Sequence, residues 1–262
     1  MDEKVLRLSL RDLPLGELRY FPSVSSTNDE ALAWAAQGAA DLSLVVADEQ
    51  TSGRGRQGRK WFTPPGAALA FSLLLRPTPG EQPFISRIVG LAALSVVAAL
   101  QSHSVPEQIK WPNDILISSS KAAGILIESV WSGEAIDCVV IGVGLNTGAA
   151  SVPPAMMLAF PAVSLEDVLG TASLPPRELV LRDILRHFID LRPLLTGDEL
   201  VARWEAALAF RGEPVEITGG AEAPIQGVLH GLAPDGSLLL DEGHGNRVTI
   251  LSGDVHLRPS GA

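Results

Sequence analysis

Continuous apolar runs alternate with segments of helical spacing along the first two thirds of the chain. Leu18 to Phe21 reads as extended, and Leu42 to Ala47 and Ala67 to Leu75 read as buried strands. Between the first two, Thr27-Asn28-Asp29-Glu30 has the form of a capping box, with Thr27 as N-cap and Glu30 at N3. Ala31, Leu32 and Trp34 to Ala36 supply the apolar face of that helix, and Gly38 closes it. Phe84 to Gln101 has helix length and a small-residue, apolar character that suits packing on a sheet.

Three strand candidates follow: Gln108 to Trp111 with Asp114 to Ile117, then Gly124 to Trp131, then Ile136 to Val143. Their short Ser/Lys and Ser-Gly connections predict an antiparallel meander. Leu179 to Leu191 and Glu199 to Ala209 read as amphipathic helices, the second capped around Thr196-Gly197-Asp198. Beyond Arg211 the pattern changes to short β-like runs, Pro214 to Thr218, Gln226 to Gly231, Ser237 to Leu240 and Arg247 to Leu251, separated by turn residues. That tail predicts a small barrel of about 50 residues, and no solenoid repeat is present.

Composition narrows the class. The 262 residues are 46% apolar and 19% charged, as in a soluble globular protein. A net charge of -10 weighs against general nucleic-acid binding. Cys138, the only cysteine, lies in an apolar run and is expected to be a buried structural thiol. The start Met1-Asp2-Glu3-Lys4 lacks the apolar stretch of a signal peptide, and Ile88 to Leu100 is too short for a bilayer crossing of about 20 residues. A cytoplasmic enzyme or binding protein, with no membrane partner, is expected.

Against that acidic background, Gly53-Arg54-Gly55-Arg56-Gln57-Gly58-Arg59-Lys60-Trp61 gathers four cations and three glycines. Glycines let backbone N–H groups approach oxygens and arginines present forked donors, so the loop suits a small anion; a solvated basic turn is the alternative. The glycines fit G-x-G-x-x-G, but Trp61-Phe62-Thr63-Pro64-Pro65-Gly66 forbids the helix a dinucleotide fingerprint needs. Arg59 after Gly58 also rules out a P-loop. Lys110-Trp111-Pro112-Asn113-Asp114 and then Lys121 offer a carboxylate, an amide and point cations, although Pro-Asn-Asp taken alone also suits an ordinary turn.

Taken in order, GRGRQGRKW, KWPNDI, KAAGILIE and VVIGVGLN resemble the catalytic core of biotin protein ligases. Ser26-Thr27-Asn28 and Gln50 upstream extend the likeness, as do Ser164-Leu165 and Gly253-Asp254-Val255-His256-Leu257-Arg258 downstream, so that it spans roughly residues 18 to 258. The resemblance implies an α+β chain. Residues 1–210 would form a biotin- and ATP-binding domain similar to class II aminoacyl-tRNA synthetases, and residues 211–262 an SH3-like β-barrel. It implies a two-step reaction. Biotin's carboxylate attacks the α-phosphate of MgATP, giving biotinoyl-5′-AMP and pyrophosphate; a carrier-protein lysine then attacks the mixed anhydride.

The same resemblance places Ser26, Thr27, Asn28 and Gln50 around biotin. Arg54, Gly55 and Arg56 would close over biotin and the adenylate, and Gly124, Gly142 and Gly144 would permit close ligand approach. Lys121, with Arg54 and Arg56, would be catalytic. Arg56, Arg59, Trp61, Lys110, Asn113, Asp114, Asn146 and Arg258 would face ATP, with Asp114 as the carboxylate linked to Mg²⁺. A biotin carboxyl carrier domain of an acyl-CoA carboxylase is the implied partner. No nucleic-acid partner is implied: about 20 residues precede the core, too few for the operator-binding domain of some relatives.

The nearest alternative is a lipoate or octanoate protein ligase, which the basic loop and KWPNDI disfavour; a non-catalytic anion- or nucleic-acid-binding module is the other. Whether two copies pair through the meander's edge is left open. An adenine-stacking aromatic is not assignable within Gly148 to Val163. Trp34, Trp131 and Trp204 are expected in the core, and the five histidines suggest no zinc site. Four cations lacking a counter-anion would keep residues 53 to 60 mobile until ligand binds.

Overall fold

The computed structural model describes residues 1–154, 160–219, 223–243 and 246–257. Its centre is a seven-stranded sheet of β1 (Leu18–Phe21), β2 (Leu44–Ala47), β3 (Ala68–Leu75), β4 (Gln108–Lys110), β5 (Asp114–Ile117), β6 (Ser120–Ser132) and β7 (Ala135–Asn146). The strand order is β1-β2-β3-β7-β6-β5-β4. Only β1 and β2 run parallel; β4 to β7 form the expected antiparallel meander.

Alternation along β7 decides what covers each face. Ile141, Val143 and Leu145 point into the main core, beneath α3 (Ile88–Ser102). α3 is apolar on all sides because it lies between the sheet and two outer helices, α5 (Arg177–Leu191) and α6 (Asp198–Ala206). Gly90 leaves room for the indole of Trp204, which is buried. With the 3₁₀ turn before it, α3 belongs to a helical stretch Gln82–Ser102 of 21 residues, longer than the apolar run alone suggests and long and apolar enough to cross a membrane. Here it is a mostly buried core helix.

The opposite face carries Cys138 and Val140 under Ala31, Trp34 and Ala35 of α2 (Thr27–Ala35). Toward the other end of β7 this face bears Gly142 and Gly144 before Asn146, so the middle of the strand offers no side chain there. Burial pushes the Cys138 thiol up from its ordinary range, consistent with a structural role.

Three expectations change. A helix α1 (Glu3–Leu10) was not foreseen: Asp2 caps it, accepting from the N–H groups of Lys4 and Val5, while Leu6 and Leu10 dock it on α5. The N-cap of α2 is Ser26 rather than Thr27, and no side chain caps it. Trp131 is not in the core: it sits near the tip of the β6–β7 hairpin, 59% exposed.

A short α4 (Leu165–Leu169) is closed by a capping box between Ser164 and Asp167. After it and the outer helices comes a five-stranded antiparallel sheet of β8 (Pro214–Thr218), β9 (Ile225–Leu232), β10 (Leu238–Gly243), β11 (Asn246–Ile250) and β12 (Asp254–Leu257), in the order β11-β10-β9-β8-β12. Arg87, itself held by the carbonyl of Gly197 before α6 (2.9 Å), fixes it to the first unit by donating to the carbonyl of Pro234 (2.7 Å). Trp111 Nε1 donates to Gly236 O (2.9 Å), and Glu205 accepts from Leu232 N (2.9 Å).

Candidate active site

Cross-strand register lays the site out in two rows on the bare face. One row runs Gly144, Gly124, Asp114, Lys110 across β7, β6, β5 and β4. The next runs Ser72, Gly142, Leu126 across β3, β7 and β6. Two residues along a strand separate the rows, about 7 Å. The first is charged and the second neutral.

Lys121 reaches the charged row because β6 carries an extra residue. Leu116 pairs with Lys121 but Ile115 pairs with Ala123, so a bulge separates Lys121 from Gly124. Without it Lys121, an odd number of positions from Gly124, would face the helices. With it, Lys121 Nζ lies 2.7 Å from Asp114 Oδ1 and 5.5 Å from the centroid of Trp61. The Lys121–Asp114 contact is an ion pair without hydrogen-bond alignment, and Asp114 Oδ1, buried, accepts no hydrogen bond.

Around the neutral row, hydroxyls and amides satisfy one another. Gln50 Oε1 accepts from Thr27 N (2.9 Å) and Thr27 Oγ1 (3.1 Å), while Gln50 Nε2 donates to Thr63 (3.0 Å). Buried Ser72 Oγ stands 2.8 Å from Thr27 Oγ1 and 2.5 Å from Asn28 Oδ1, sharing its one proton between them. The Thr27 hydroxyl, on the first residue of the helix, is engaged here. Ser26, Thr27 and Asn28 are all buried.

The glycines make room for protein side chains. A Cβ at Gly142 would collide with Asn28 Oδ1, and one at Gly144 with the Trp61 indole. At Gly124 it would stand 3.2 Å from both Trp61 Cζ3 and Lys121 Cε. Any ligand on this face therefore lies against Asn28, Trp61 and Lys121 rather than on the strands. Trp61 Nε1 is buried without an acceptor, an N–H held ready in the site.

Two of the four cations of the basic loop, Arg54 and Arg59, meet carboxylates and Arg56 meets an amide oxygen, which corrects in part the expectation of cations without counter-charges. Arg54 forms a bidentate pair with Glu128 (2.9 and 2.6 Å) and meets Asp29 at 2.7 Å. Arg56 donates to Asn113 Oδ1 (3.0 Å), and Arg59 pairs with Asp254 of β12 (2.7 Å). Gln57 Nε2 reaches Gly219 O (3.2 Å), so the second unit holds this loop from one side. The backbone closes into a small hairpin through Gly55 N to Arg59 O (2.7 Å) and Trp61 N to Gly53 O (2.8 Å). A Cβ at Gly53 would strike Trp61 O, so that pairing requires glycine.

Lys110 is 5% exposed, and burial pushes its ammonium below the ordinary lysine range, with Asp114 and Asp254 acting in the opposite sense. Its Nζ lies 4.5 Å from the ring centroid of Phe160, an aromatic the sequence reading did not single out. Asn113 Nδ2 donates to Ile125 O (2.8 Å). Asn146, expected at ATP, donates to Val163 O (3.2 Å), bracing the segment that pairs with Lys121. Arg258 lies outside the described residues.

Among the described residues no group of three His, Cys, Asp or Glu could hold a metal ion. His103 meets Asp183 (3.2 Å) away from this face, between the C-terminal end of α3 and the middle of α5. Asp29, Glu128, Ser72, Asp254 and Phe160 join the site although none was assigned a role from sequence. Glu128 and Asp254 stood inside motifs already noted, KAAGILIE and GDVHLR, and could have been found there.

Residues 20–146 match the model of the biotin/lipoate A/B protein ligase family, and residues 210–258 that of the biotin protein ligase C-terminal domain. The chain is 35% identical to a biotin–[acetyl-CoA-carboxylase] ligase of Paracoccus denitrificans, over 88% of this chain and 96% of that one. It is also 35% identical to a protein of the same name from Mycobacterium tuberculosis, over 98% and 96%. A biotin protein ligase from Aquifex aeolicus, solved in complex with biotin and ATP, superposes with a TM-score of 0.77 at 30% identity, covering 92% of this chain and 98% of that one.

Proposed function

The chain belongs to the biotin/lipoate A/B protein ligase family, and from that premise we propose that it joins biotin to a carrier-protein lysine at the expense of ATP. In the first step biotin's carboxylate oxygen attacks the α-phosphorus, an O–P bond forms, and pyrophosphate leaves. In the second the carrier amine attacks the acyl carbon of biotinoyl-5′-AMP, AMP leaves, and the amine loses a proton to form the amide. Residues 1–210 serve as the catalytic unit and 211–262 as the barrel that backs the basic loop.

The observation that carries this reading is the pairing of a neutral row with a charged row about 7 Å away. Biotin has the same polarity: an uncharged ureido ring at one end and a carboxylate at the other. Ser26, Thr27, Asn28, Gln50 and Ser72 offer the hydroxyls and amides a ureido group needs. The apolar dithiolane of lipoate and the alkyl chain of octanoate offer this polar row no donor or acceptor in return for the water they would displace, which disfavours both acids.

Lys121 is the catalytic residue of choice. Its ammonium, now paired with Asp114, can turn to the carboxylate and α-phosphate and stabilise charge that grows in the transition state. Arg56, Arg59, Lys110 and Asn113 bound the phosphate side, and Phe160 gives that side an aromatic wall. Trp61 Nε1 is a donor for a substrate oxygen. Arg54 acts through its backbone and its position, its guanidinium being held by two carboxylates.

Magnesium would enter with the triphosphate. Mg²⁺ keeps most of its water and asks for one or two protein carboxylates beside phosphate oxygens. Asp114 Oδ1, which accepts no hydrogen bond and is paired with Lys121, would fit that demand once Lys121 turns to substrate, and the ion would supply charge neutralisation at the phosphates. The carrier is read as the biotin carboxyl carrier domain of an acyl-CoA carboxylase, and the setting as the cytoplasm.

The test is transfer itself. Purified protein, MgATP, biotin and a biotin carboxyl carrier domain should raise the intact mass of the carrier by one biotinoyl group. A carrier whose acceptor lysine is arginine should stay unchanged. Failure to modify any carrier with biotin, alongside modification with lipoate, would overturn the reading.

A further inference from the structure

We propose that Glu128, together with Asp29, is the latch of the biotin pocket: a positioning residue that keeps the glycine-rich loop closed by gripping Arg54. The inference rests on the biotin reading above and assigns a role to two residues that take no part in the chemistry.

Glu128 makes three bonds to two elements. Its Oε1 accepts from Arg54 Nη1 (2.9 Å), and its Oε2 accepts from Arg54 Nη2 (2.6 Å) and from Asn28 Nδ2 (2.8 Å). Asp29, from the first turn of α2, takes Arg54 Nη2 at 2.7 Å. One carboxylate on β6 and one on α2 thus hold the same guanidinium, and the bidentate fork fixes its plane as well as its place. The bond from Asn28 also sets that amide, leaving its oxygen toward Ser72 and Gly142.

The grip is transmitted by the backbone. Arg54 sits between Gly53 and Gly55; Gly53 O accepts from Trp61 N (2.8 Å) and Gly55 N donates to Arg59 O (2.7 Å). Fixing Arg54 therefore fixes the small hairpin, and with it the Trp61 indole over Gly124 and Gly144. If Arg54 lets go, the wall of the biotin site goes with it.

Exposure makes the latch reversible. The side chains of Arg54, Asp29 and Glu128 are 38%, 49% and 25% exposed, so water and salt compete for each pair. A buried triad would lock the pocket; this one lets the loop open often enough for biotin to enter and leave. The open state is populated more when salt screens the pairs.

The experiment is release of labelled biotin from the full-length protein into excess unlabelled biotin, at about 0.05 M and about 0.5 M salt. Glu128→Gln and Arg54→Gln should each speed release about tenfold. The double variant should be no faster than the faster single, because both remove one interaction. Wild-type release should quicken with salt, the Arg54→Gln rate should not, and Glu128→Gln, which keeps the Asp29 pair, should lie between them, while kcat for pyrophosphate exchange by Glu128→Gln at saturating biotin changes less than about threefold. Asp29→Asn gives an independent measure from α2 should Glu128→Gln fail to fold, and should speed release a few-fold. Unchanged release in these variants, additive effects, or equal salt dependence would overturn the latch. Wild-type protein that takes up no biotin would overturn the functional reading and the latch with it.

Discussion

The neutral and charged rows of the site are built on opposite plans. In the neutral row Thr27, Asn28, Gln50 and Ser72 are satisfied by one another and buried, so the pocket for an uncharged head group is organised before any ligand arrives. In the charged row Lys121 faces Asp114, Arg59 faces Asp254, and Lys110 is desolvated beneath Phe160. In the proposed reaction the carboxylate and triphosphate would take the place of Asp114 and Asp254 beside Lys121 and Arg59. On that reading recognition is preformed, whereas the charges are released by exchange of partners. The difference follows from cost: idle neutral groups can bond to each other, while idle cations close together need anions.

Removing the charge at the junction of the rows should separate them most sharply. Lys121→Ala should slow adenylate formation by about 10²- to 10³-fold while biotin affinity changes less than about threefold, read from pyrophosphate exchange and direct titration. Equal losses would place Lys121 in binding alone.

A wedge in the shelf should come next. Gly144→Ala drives a methyl into the Trp61 indole, and overpacking of this kind costs about 1–3 kcal/mol. Biotin affinity should fall about tenfold to a hundredfold, with the melting temperature showing whether the fold shares the cost. Full affinity in a folded variant would mean that Trp61 is not a wall of the pocket.

Within the neutral row a single hydroxyl should matter modestly. Ser72→Ala removes the donor to Asn28 and should weaken biotin by about 1 kcal/mol, close to fivefold, without altering kcat at saturation. A fall in kcat instead would contradict the division between the rows.

The smallest effect concerns stability. Lys110 is pushed below its ordinary value of 10.5 by burial, so between its folded value and 10.5 the unfolded chain holds a proton that the folded chain lacks. Stability contributed by this group therefore rises with pH across that window, and its burial costs most below it. Lys110→Met should be more stable at pH 7 by about 1 kcal/mol, lose that rise, and bind ATP more weakly, as read by urea unfolding at several pH values and by titration. A variant less stable at pH 7 would reverse the sign.

Much of this architecture is written in local pattern. The apolar runs of β2, β3 and β7, the meander and the four expected strands of the tail stand close to where their periodicity placed them, because tertiary contacts reinforce rather than override it, while β12 (Asp254–Leu257) is a fifth strand not expected. What escaped depends on contacts distant in sequence. The anions serving the basic loop come from Asp29, Glu128 and Asp254, up to 195 residues away, and no local window joins them. The face on which Lys121 stands is set by one bulge in β6. Thr27 carried a helix-cap signature, but Ser26 takes the N-cap position and the Thr27 hydroxyl, one residue inside the helix, turns to Gln50 and Ser72 in the site. Trp131, apolar by type, sits by a hairpin turn where no core reaches it. α1 was readable from Asp2, Leu6 and Leu10, whose cap and i,i+4 spacing were overlooked among charges.

The most direct measurement is exchange of labelled pyrophosphate into ATP with Mg²⁺ and purified protein, without carrier, comparing biotin, lipoate and octanoate. The two-row account predicts exchange with biotin and none with the other two acids. Exchange driven by lipoate or octanoate, or by no acid at all, would contradict it.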